Sequence, residues 1–369
     1  MSQNTDLKVL HIINELGMGG AEMLLMESLP IYKERKLPVD LLLLLERENC
    51  KYTKETREKK DSKIFVLGYK SLYTPLLIFK IIPYLKKYDV VHVHLFPSLY
   101  WVALAKMISF SKTKLIFTEH STSNNRMKSK FYAVFDKIIY KAYSKIITIS
   151  QEVDLQAKKH LGFKFSKFEL IHNGVNLKNI TNAKAYSKTD FFQDAEAKIV
   201  LQVSNFREPK DQQTLIKSMV LLPENVKLLL VGHGVTLEKC EELAKELKIE
   251  NRVKFLGLRR DVLRLLKTAD VIVLSSKYEG LSLSSIEGMG SGKPFIASQV
   301  PGLTEVVENA GLLFPQGDEK ALATHIEKLI ANESFYNEIS KSCLERSKHY
   351  EIERMVNSQI ELYKKLSNK

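Results

Sequence analysis

A chain of 369 residues with 44% hydrophobic and 27% charged residues reads as globular, and it exceeds what one hydrophobic core usually organises. Two domains are therefore expected, and a disordered chain is excluded. The formal net charge of +13 is uneven: residues 1–180 hold 29 basic against 17 acidic side chains, and the remainder holds 27 against 26. A basic first half seeks anionic partners, such as a phospholipid surface, a pyrophosphoryl lipid or nucleic acid, although a lysine-rich solubilising surface gives the same count. Cys50, Cys240 and Cys343 are odd in number, far apart and outside CxxC pairs, which argues for a reducing compartment and against a cysteine zinc site. No apolar run reaches about 18 residues. The opening MSQNTDLKVLHII lacks the charge and apolar pattern of a signal peptide, so the expected location is cytoplasmic.

Lys8–Ile13 reads as the opening strand, followed by a turn containing Gly17, Gly19 and Gly20 and then helical spacing at Leu24, Leu25, Ser28 and Leu29. Such a turn lets another molecule approach the backbone closely, although the glycine spacing is not G-x-G-x-x-G. Val39–Leu45 and Ile64–Leu67 read as strands, with the charged stretch Glu46–Ser62 between them as a solvated segment. Ser71–Tyr88 places Leu76, Leu77, Ile81, Ile82 and Leu85 opposite Lys80, Lys86 and Lys87, an amphipathic helix whose expected role is core packing, with an interfacial membrane helix as the alternative. The strand Asp89–His94 puts His92 and His94 on one face, which suits a metal. No third ligand stands at a familiar spacing, so both are read as core or cleft histidines. Leu115–Glu119 leads into His120, a site candidate because ligands collect at the carboxyl ends of parallel strands. Arg126, Lys128 and Lys130 follow in a polar loop suited to an acidic acceptor, and Lys145–Ser150 reads as a sixth strand.

The segment Glu169–Asn176 is extended with an Asn173-Gly174 turn, and residues 178–197 read as a connection. Alternation restarts with strands at Lys198–Val203, Val226–Val231, Val253–Leu256, Asp270–Leu274 and Phe295–Ser298, with a helix near Gln212–Leu222. The last helices are expected near Ala321–Asn332, Phe335–Lys348 and Glu351–Leu366. Two series of about five or six strands predict two doubly wound α/β domains, dividing near residues 177 and 178.

The densest stretch is Ser275–Pro294. A buried strand runs into Glu279 and Gly280, and Ser282, Ser284 or Ser285 is placed to cap a helix carrying Ile286, Glu287 and Met289 before Gly292-Lys293-Pro294. Free amide groups at such a helix mouth, with the helix dipole, form an anion site whose usual occupant is phosphate. Glu279 lies beside that mouth, and Glu287 about one turn inside, where a carboxylate accepts hydrogen bonds from a diol. A nucleotide sugar needs those groups together. The alternative is an ordinary βα unit with solvated glutamates. Gly288 and Gly290 each cost up to about 1 kcal/mol of helix propensity, with no reason visible in the sequence.

Glu279-Gly280-Leu281-Ser282-Leu283-Ser284 through Glu287 resembles the E-x7-E signature of family 4 (GT4) of the retaining glycosyltransferases. Gly19-Gly20-Ala21-Glu22 resembles the family's turn near donor phosphate and acceptor, Thr118-Glu119-His120 its histidine near the transferred sugar, and Asn173-Gly174-Val175-Asn176 its exit from the first domain. Ser204–Asp211 is similar to the family's Arg/Lys loop. Lys210 matches the lysine that meets the donor β-phosphate, the family arginine falls on Asn205, and Arg207 offers a replacement cation. Gly232, with His233 and Gly234, resembles the G-x-G turn; Leu256 and Gly257 stand where the base packs; Glu305 matches a short Gly-x-x-E element; and Arg259 and Arg260 face phosphate or water.

The resemblance implies the GT-B fold, two Rossmann-like domains facing a central cleft, with an acceptor-side first domain, residues 1–177, onto which a final helix at about 351–369 crosses back, leaving 178–350 as the second. It implies transfer from a nucleotide-sugar donor, a UDP-sugar ahead of a GDP-sugar, to a lipid-linked or cell-envelope glycan with retention, and with no metal or other cofactor. In that scheme His120 stabilises the sugar, Glu279 holds its hydroxyls or the charge building at the ring, Glu287 binds the ribose diol, and Lys210, Arg207 and the amides near Leu281–Ser284 meet the leaving-group charge. Peripheral contact with an anionic membrane is expected through the basic first half, and nucleic acid is not expected as a partner. Rival readings are a nucleotide-sugar epimerase of the same architecture and a basic membrane- or nucleic-acid-binding protein. The latter lacks the aromatic-basic interleaving of a single-strand binder.

Overall fold

The computed structural model describes residues 7–17, 19–46, 62–68, 71–120, 130–162 and 167–367. Most of the charged stretch between the second and third strands, together with Arg126 and Lys128, lies outside them, and of Lys130 only the backbone is described. The chain divides into two compact units, Met1–Gly174 with Ile352–Lys369, and Val175–Glu351.

The first unit is a parallel sheet of β1 (Val9–Ile13), β2 (Val39–Leu43), β3 (Ile64–Val66), β4 (Val90–His94), β5 (Lys114–Glu119), β6 (Lys145–Thr148) and β7 (Phe168–Leu170). Its order is β3-β2-β1-β4-β5-β6-β7. Residues of the central strands are buried on both sides, as a sheet covered by helices on each face requires. The order reverses direction between β1 and β4, where Val9–Ile12 pair with Val90–Val93. Ligands of doubly wound sheets gather at the carboxyl ends beside such a reversal. Helix Leu76–Leu85, shorter than the Ser71–Tyr88 expected, buries Leu77, Ile78, Ile81 and Leu85 in the core. The final helix, Ile352–Ser367, buries Ile352, Met355, Val356, Gln359, Ile360, Leu362 and Tyr363 along one stripe and packs on helix Gly20–Glu34. Arg35 holds that pairing from outside, donating to Glu353 at 2.7 Å and to Asn357 at 3.1 Å.

The second unit repeats the design with β8 (Lys198–Val203), β9 (Val226–Val231), β10 (Val253–Phe255), β11 (Val271–Leu274), β12 (Phe295–Ser298) and β13 (Leu312–Phe314), ordered β10-β9-β8-β11-β12-β13. Here β8 and β11 flank the reversal. Two strands depart from the sequence reading. β7 is a paired strand at Phe168–Leu170, where only an extended segment was expected, and β13 was not expected at all. Both are three-residue edge strands, too short to carry an alternation signal.

Candidate functional site

In the second unit the loops after β8 and β11 are laced together. Asp211 N donates to Ser275 O at 3.0 Å, Lys277 N to Pro209 O at 2.8 Å, and Lys210 and Ser276 form an antiparallel bridge. Gln202, at the end of β8, accepts from Ser275 N at 3.1 Å. This lacing brings Lys210 and Glu279 together: Lys210 Nζ pairs with Glu279 Oε1, which also accepts from Ser276 Oγ at 2.8 Å. Both side chains are only 12% exposed, so the ion pair is poorly screened by solvent. Asn205 and Arg207 are exposed on the same loop, and Arg207 forms no ion pair with any described residue.

Glycines set the backbone here. Gly232 has φ +140°, and a Cβ on it would sit 2.1 Å from Ser204 O, so the turn after β9 lies directly against the loop after β8. Gly232 N donates to Gly257 O at 2.9 Å, and Leu256 N to Leu230 O at 2.8 Å, which brings Leu256 and Gly257 to the same edge. Gly302, φ +81°, would place a Cβ 2.3 Å from Glu279 O and 2.4 Å from Gly280 O. Only glycine lets the Val300–Leu303 turn back the Glu279-Gly280 turn so closely.

Helix Leu283–Gly290 begins at Ser282, whose side chain makes no capping bond; Ser282 Oγ lies 3.0 Å from Ser284 Oγ and Ser285 Oγ donates to Ser282 O at 2.7 Å. The expected serine cap is therefore absent, because these hydroxyls bond to one another and to the backbone carbonyl. Leu281 and Ser282 are buried, while Leu283, Ser284 and Glu287 are half-buried. Gly288 and Gly290 now have a reason: a Cβ on Gly288 would lie 2.7 Å from the Phe295 ring, and one on Gly290 2.6 Å from Leu177 Cδ2. Arg259, offered above to phosphate or water, is held instead by Asp261 at 2.8 Å, and Asp261 in turn receives the Tyr186 hydroxyl.

In the first unit Gly19 is the N-cap of helix Gly20–Glu34 and has the Glu22 carboxylate over it, 2.2 Å from where a Cβ would stand. At the reversal, His11 on β1 faces His92 and His94 on β4. His11 Nδ1 lies 3.0 Å from His94 Nε2, and His94 Nδ1 lies 3.4 Å from His120 Nε2. His92 bonds Tyr363 OH and Thr118 Oγ1, each at 2.6 Å. Burial favours the uncharged ring, holding His11 at about 3 and His120 at about 4, and His92 and His94 well below the ordinary histidine value. A cavity of about 20 Å³ lies against His11, His94, His120, Ser28, Asn173 and Gln359. Thus the His92-His94 pair has a third imidazole, His11, with ligand atoms of the three within 4.8 Å of one another. Sequence spacing missed it because it comes from another strand, and missed Tyr363 because it is 271 residues from His92.

The family model described as "Glycosyl transferases group 1" matches residues 187–346, and that described as "Glycosyltransferase Family 4" matches residues 18–179. The chain is 27% identical over 272 residues to N-acetyl-alpha-D-glucosaminyl L-malate synthase of Bacillus anthracis, covering 70% of this chain and 69% of that one. It is 25% identical over 357 residues to the N-acetylgalactosamine-N,N'-diacetylbacillosaminyl-diphospho-undecaprenol 4-alpha-N-acetylgalactosaminyltransferase of Campylobacter jejuni, covering 92% and 94%. Among solved structures, Anabaena HepE in complex with UDP-glucose superposes with a TM-score of 0.83 at 22% identity, over 96% of this chain and 99% of that one. That likeness identifies two Rossmann-like units of the GT-B type.

Proposed function

We propose that this chain, which belongs to family 4 of the glycosyltransferases, transfers a sugar from a UDP-sugar to a lipid-linked or cell-envelope glycan with retention of configuration and without a metal. The observation that carries this reading is the Lys210–Glu279 pair at the reversal of the second sheet, beside the uncapped mouth of helix Leu283–Gly290. Lysine has three donors, so Lys210 keeps N–H groups for a diphosphate while Glu279 holds it in place. Arg207 supplies a second cation, and the helix mouth supplies amides and a positive dipole end. Charge developing on the leaving UDP is thereby met by groups already oriented, the largest source of stabilisation in most enzymes.

Departing phosphate takes the acceptor proton as the new bond forms on the same face. Glu279 steadies the sugar ring and its hydroxyls, Glu287 binds the ribose diol, and Leu256, Gly257 and Gly232 shape the base and phosphate edge. His120 contacts the sugar, and Gly19 and Gly20 line the approach of phosphate and acceptor. HepE was crystallised with UDP-glucose, and the Campylobacter relative is named for a diphospho-undecaprenol substrate, which support the donor and acceptor classes chosen here. Among the described residues no helix is long and apolar enough to cross a membrane. Exposed Leu76, Phe79 and Phe110, with exposed Lys86, Lys87, Lys112 and Lys114 close to them in sequence, support peripheral contact with an anionic surface.

Incubation of a UDP-sugar panel with a polyprenyl-diphosphate-linked glycan in EDTA tests the proposal. Acceptor-dependent release of UDP with the anomeric configuration retained is expected. Conversion of a UDP-sugar without acceptor would make the protein an epimerase instead.

A further inference from the structure

Behind His120, in the first unit, runs an unbroken series of side-chain hydrogen bonds: His120 Nε2 to His94 Nδ1 at 3.4 Å, His94 Nε2 to His11 Nδ1 at 3.0 Å, His11 Nε2 to Tyr363 OH at 3.2 Å, Tyr363 OH to His92 Nδ1 at 2.6 Å, and His92 Nε2 to Thr118 Oγ1 at 2.6 Å. Each ring uses both nitrogens except His120, whose Nδ1 has no partner among the described residues. A neutral imidazole has one donor and one acceptor, so fixing any one of His120, His94 and His11 fixes the other two, while His92 is tied to them through the Tyr363 hydroxyl. Three arrangements satisfy the whole series: every histidine carries its hydrogen on Nε2, every histidine carries it on Nδ1, or His120, His94 and His11 carry it on Nε2 and His92 on Nδ1, with Tyr363 accepting from both sides and giving its hydrogen to Gln359.

Tyr363 decides between them. It has one hydrogen and four neighbours: His92 Nδ1 at 2.6 Å, His11 Nε2 and Tyr32 OH at 3.2 Å, and Gln359 Oε1 at 3.4 Å. Tyr32 gives its own hydrogen to Gln359, whose carbonyl oxygen only accepts. A phenol is a stronger donor than a neutral imidazole, and an imidazole nitrogen a stronger acceptor than a phenol oxygen. The short bond is therefore Tyr363 O–H to His92 Nδ1. His11 must then donate to the Tyr363 oxygen, His94 to His11, and His120 to His94.

We propose that Tyr363, His11 and His94 are positioning residues that hold His120 in the Nε2–H form, so that it presents a bare Nδ1 as a hydrogen-bond acceptor for a hydroxyl of the donor sugar. The identity of that hydroxyl's owner rests on the glycosyltransferase reading; the direction of the chain does not. Desolvation of the buried His11, His92 and His94 and of half-buried His120 favours the neutral rings, which the arrangement needs, since an imidazolium has no acceptor to offer. The final helix thereby acts on the site through Tyr363 without touching the sugar. Buried chains of this kind are worth more than their separate bonds, because each polarises the next.

Long-range proton–nitrogen NMR of the full-length protein with ¹⁵N-histidine tests the direction without any substrate. Near pH 7, His11, His92, His94 and His120 should all show the Nε2–H pattern. Nδ1–H rings, imidazolium signals, or metal-shifted nitrogens after adding Zn²⁺ would each overturn the proposal. Tyr363→Phe should let His120 average between its two forms and lower kcat/KM for transfer by about tenfold, with UDP affinity unchanged. If Tyr363→Phe keeps His120 in the Nε2–H form with full kcat/KM, Tyr363 does not set the chain. Wild-type Nε2–H rings combined with full turnover in His120→Ala would leave the chain standing and refute only the sugar contact.

Discussion

The two units share one order over six strands, the first adding a seventh at its edge, yet the points where their sheets reverse direction hold opposite chemistry. In the first, between β1 and β4, His11, His92 and His94 are buried among hydroxyls and bonded to one another's partners, and half-buried His120 ends the series. In the second, between β8 and β11, they are a lysine, a glutamate and a free arginine, half-buried or exposed, on loops shaped by glycine. The same backbone scaffold thus offers one end suited to uncharged hydroxyls and another suited to an anion. A sugar nucleotide has both parts, a polyhydroxylated ring and a diphosphate, and transferring the ring requires them to be recognised separately.

If the first reversal point is neutral, acid should unfold the protein. As pH falls through 6.5 the unfolded chain gains protons on its histidines, while native His11 gains none until about 3, so stability drops across that window. His11 alone removes roughly 2 kcal/mol between pH 6.5 and 5 at 1.36 kcal/mol per unit, and His92 and His94 act in the same direction, so the total exceeds any single substitution below. Urea midpoints across that range measure it, and a flat profile would show that the cluster is not neutral. If the second point works through charge, Lys210→Ala should cost about 3 kcal/mol in kcat/KM, while near-wild-type turnover would remove Lys210 from the mechanism. Glu287→Ala should raise donor KM by about 1.5–3 kcal/mol with a smaller change in kcat, read from steady-state kinetics. Unchanged donor binding would refute its role at the ribose. Gly302→Ala should destabilise the second unit by about 1–3 kcal/mol in urea and displace Glu279, because its added Cβ meets two backbone carbonyls at a positive φ.

What could be read from the sequence differs between the same two regions. The charged groups lie in two contiguous motifs: Glu279 and Glu287 were singled out from the strand-turn-helix pattern and Lys210 from the family resemblance. The pairing of Lys210 with Glu279 was not legible, because the two are 69 residues apart and meet only through tertiary bonds between their loops. The neutral site was legible only at His92, His94 and His120, which follow strands with clear apolar runs. His11 looked like one more residue of a buried strand, and Tyr363 like one more core residue of an amphipathic helix. Gly288 and Gly290 looked costly because their cost is local, while their reason, contact with Phe295 and Leu177, is tertiary. The serines before helix Leu283–Gly290 read as caps because residue type predicts capping, whereas the hydroxyls bond elsewhere.

The central claim is that side-chain cations and helix amides of the second unit, with no divalent ion, hold the diphosphate. Calorimetric titration of UDP into wild type and Lys210→Ala in EDTA tests it most directly. One-to-one binding that Lys210→Ala weakens at least tenfold is the predicted result, by about 1.4 kcal/mol or more. Binding that needs Mg²⁺, or that Lys210→Ala leaves unchanged, would contradict it.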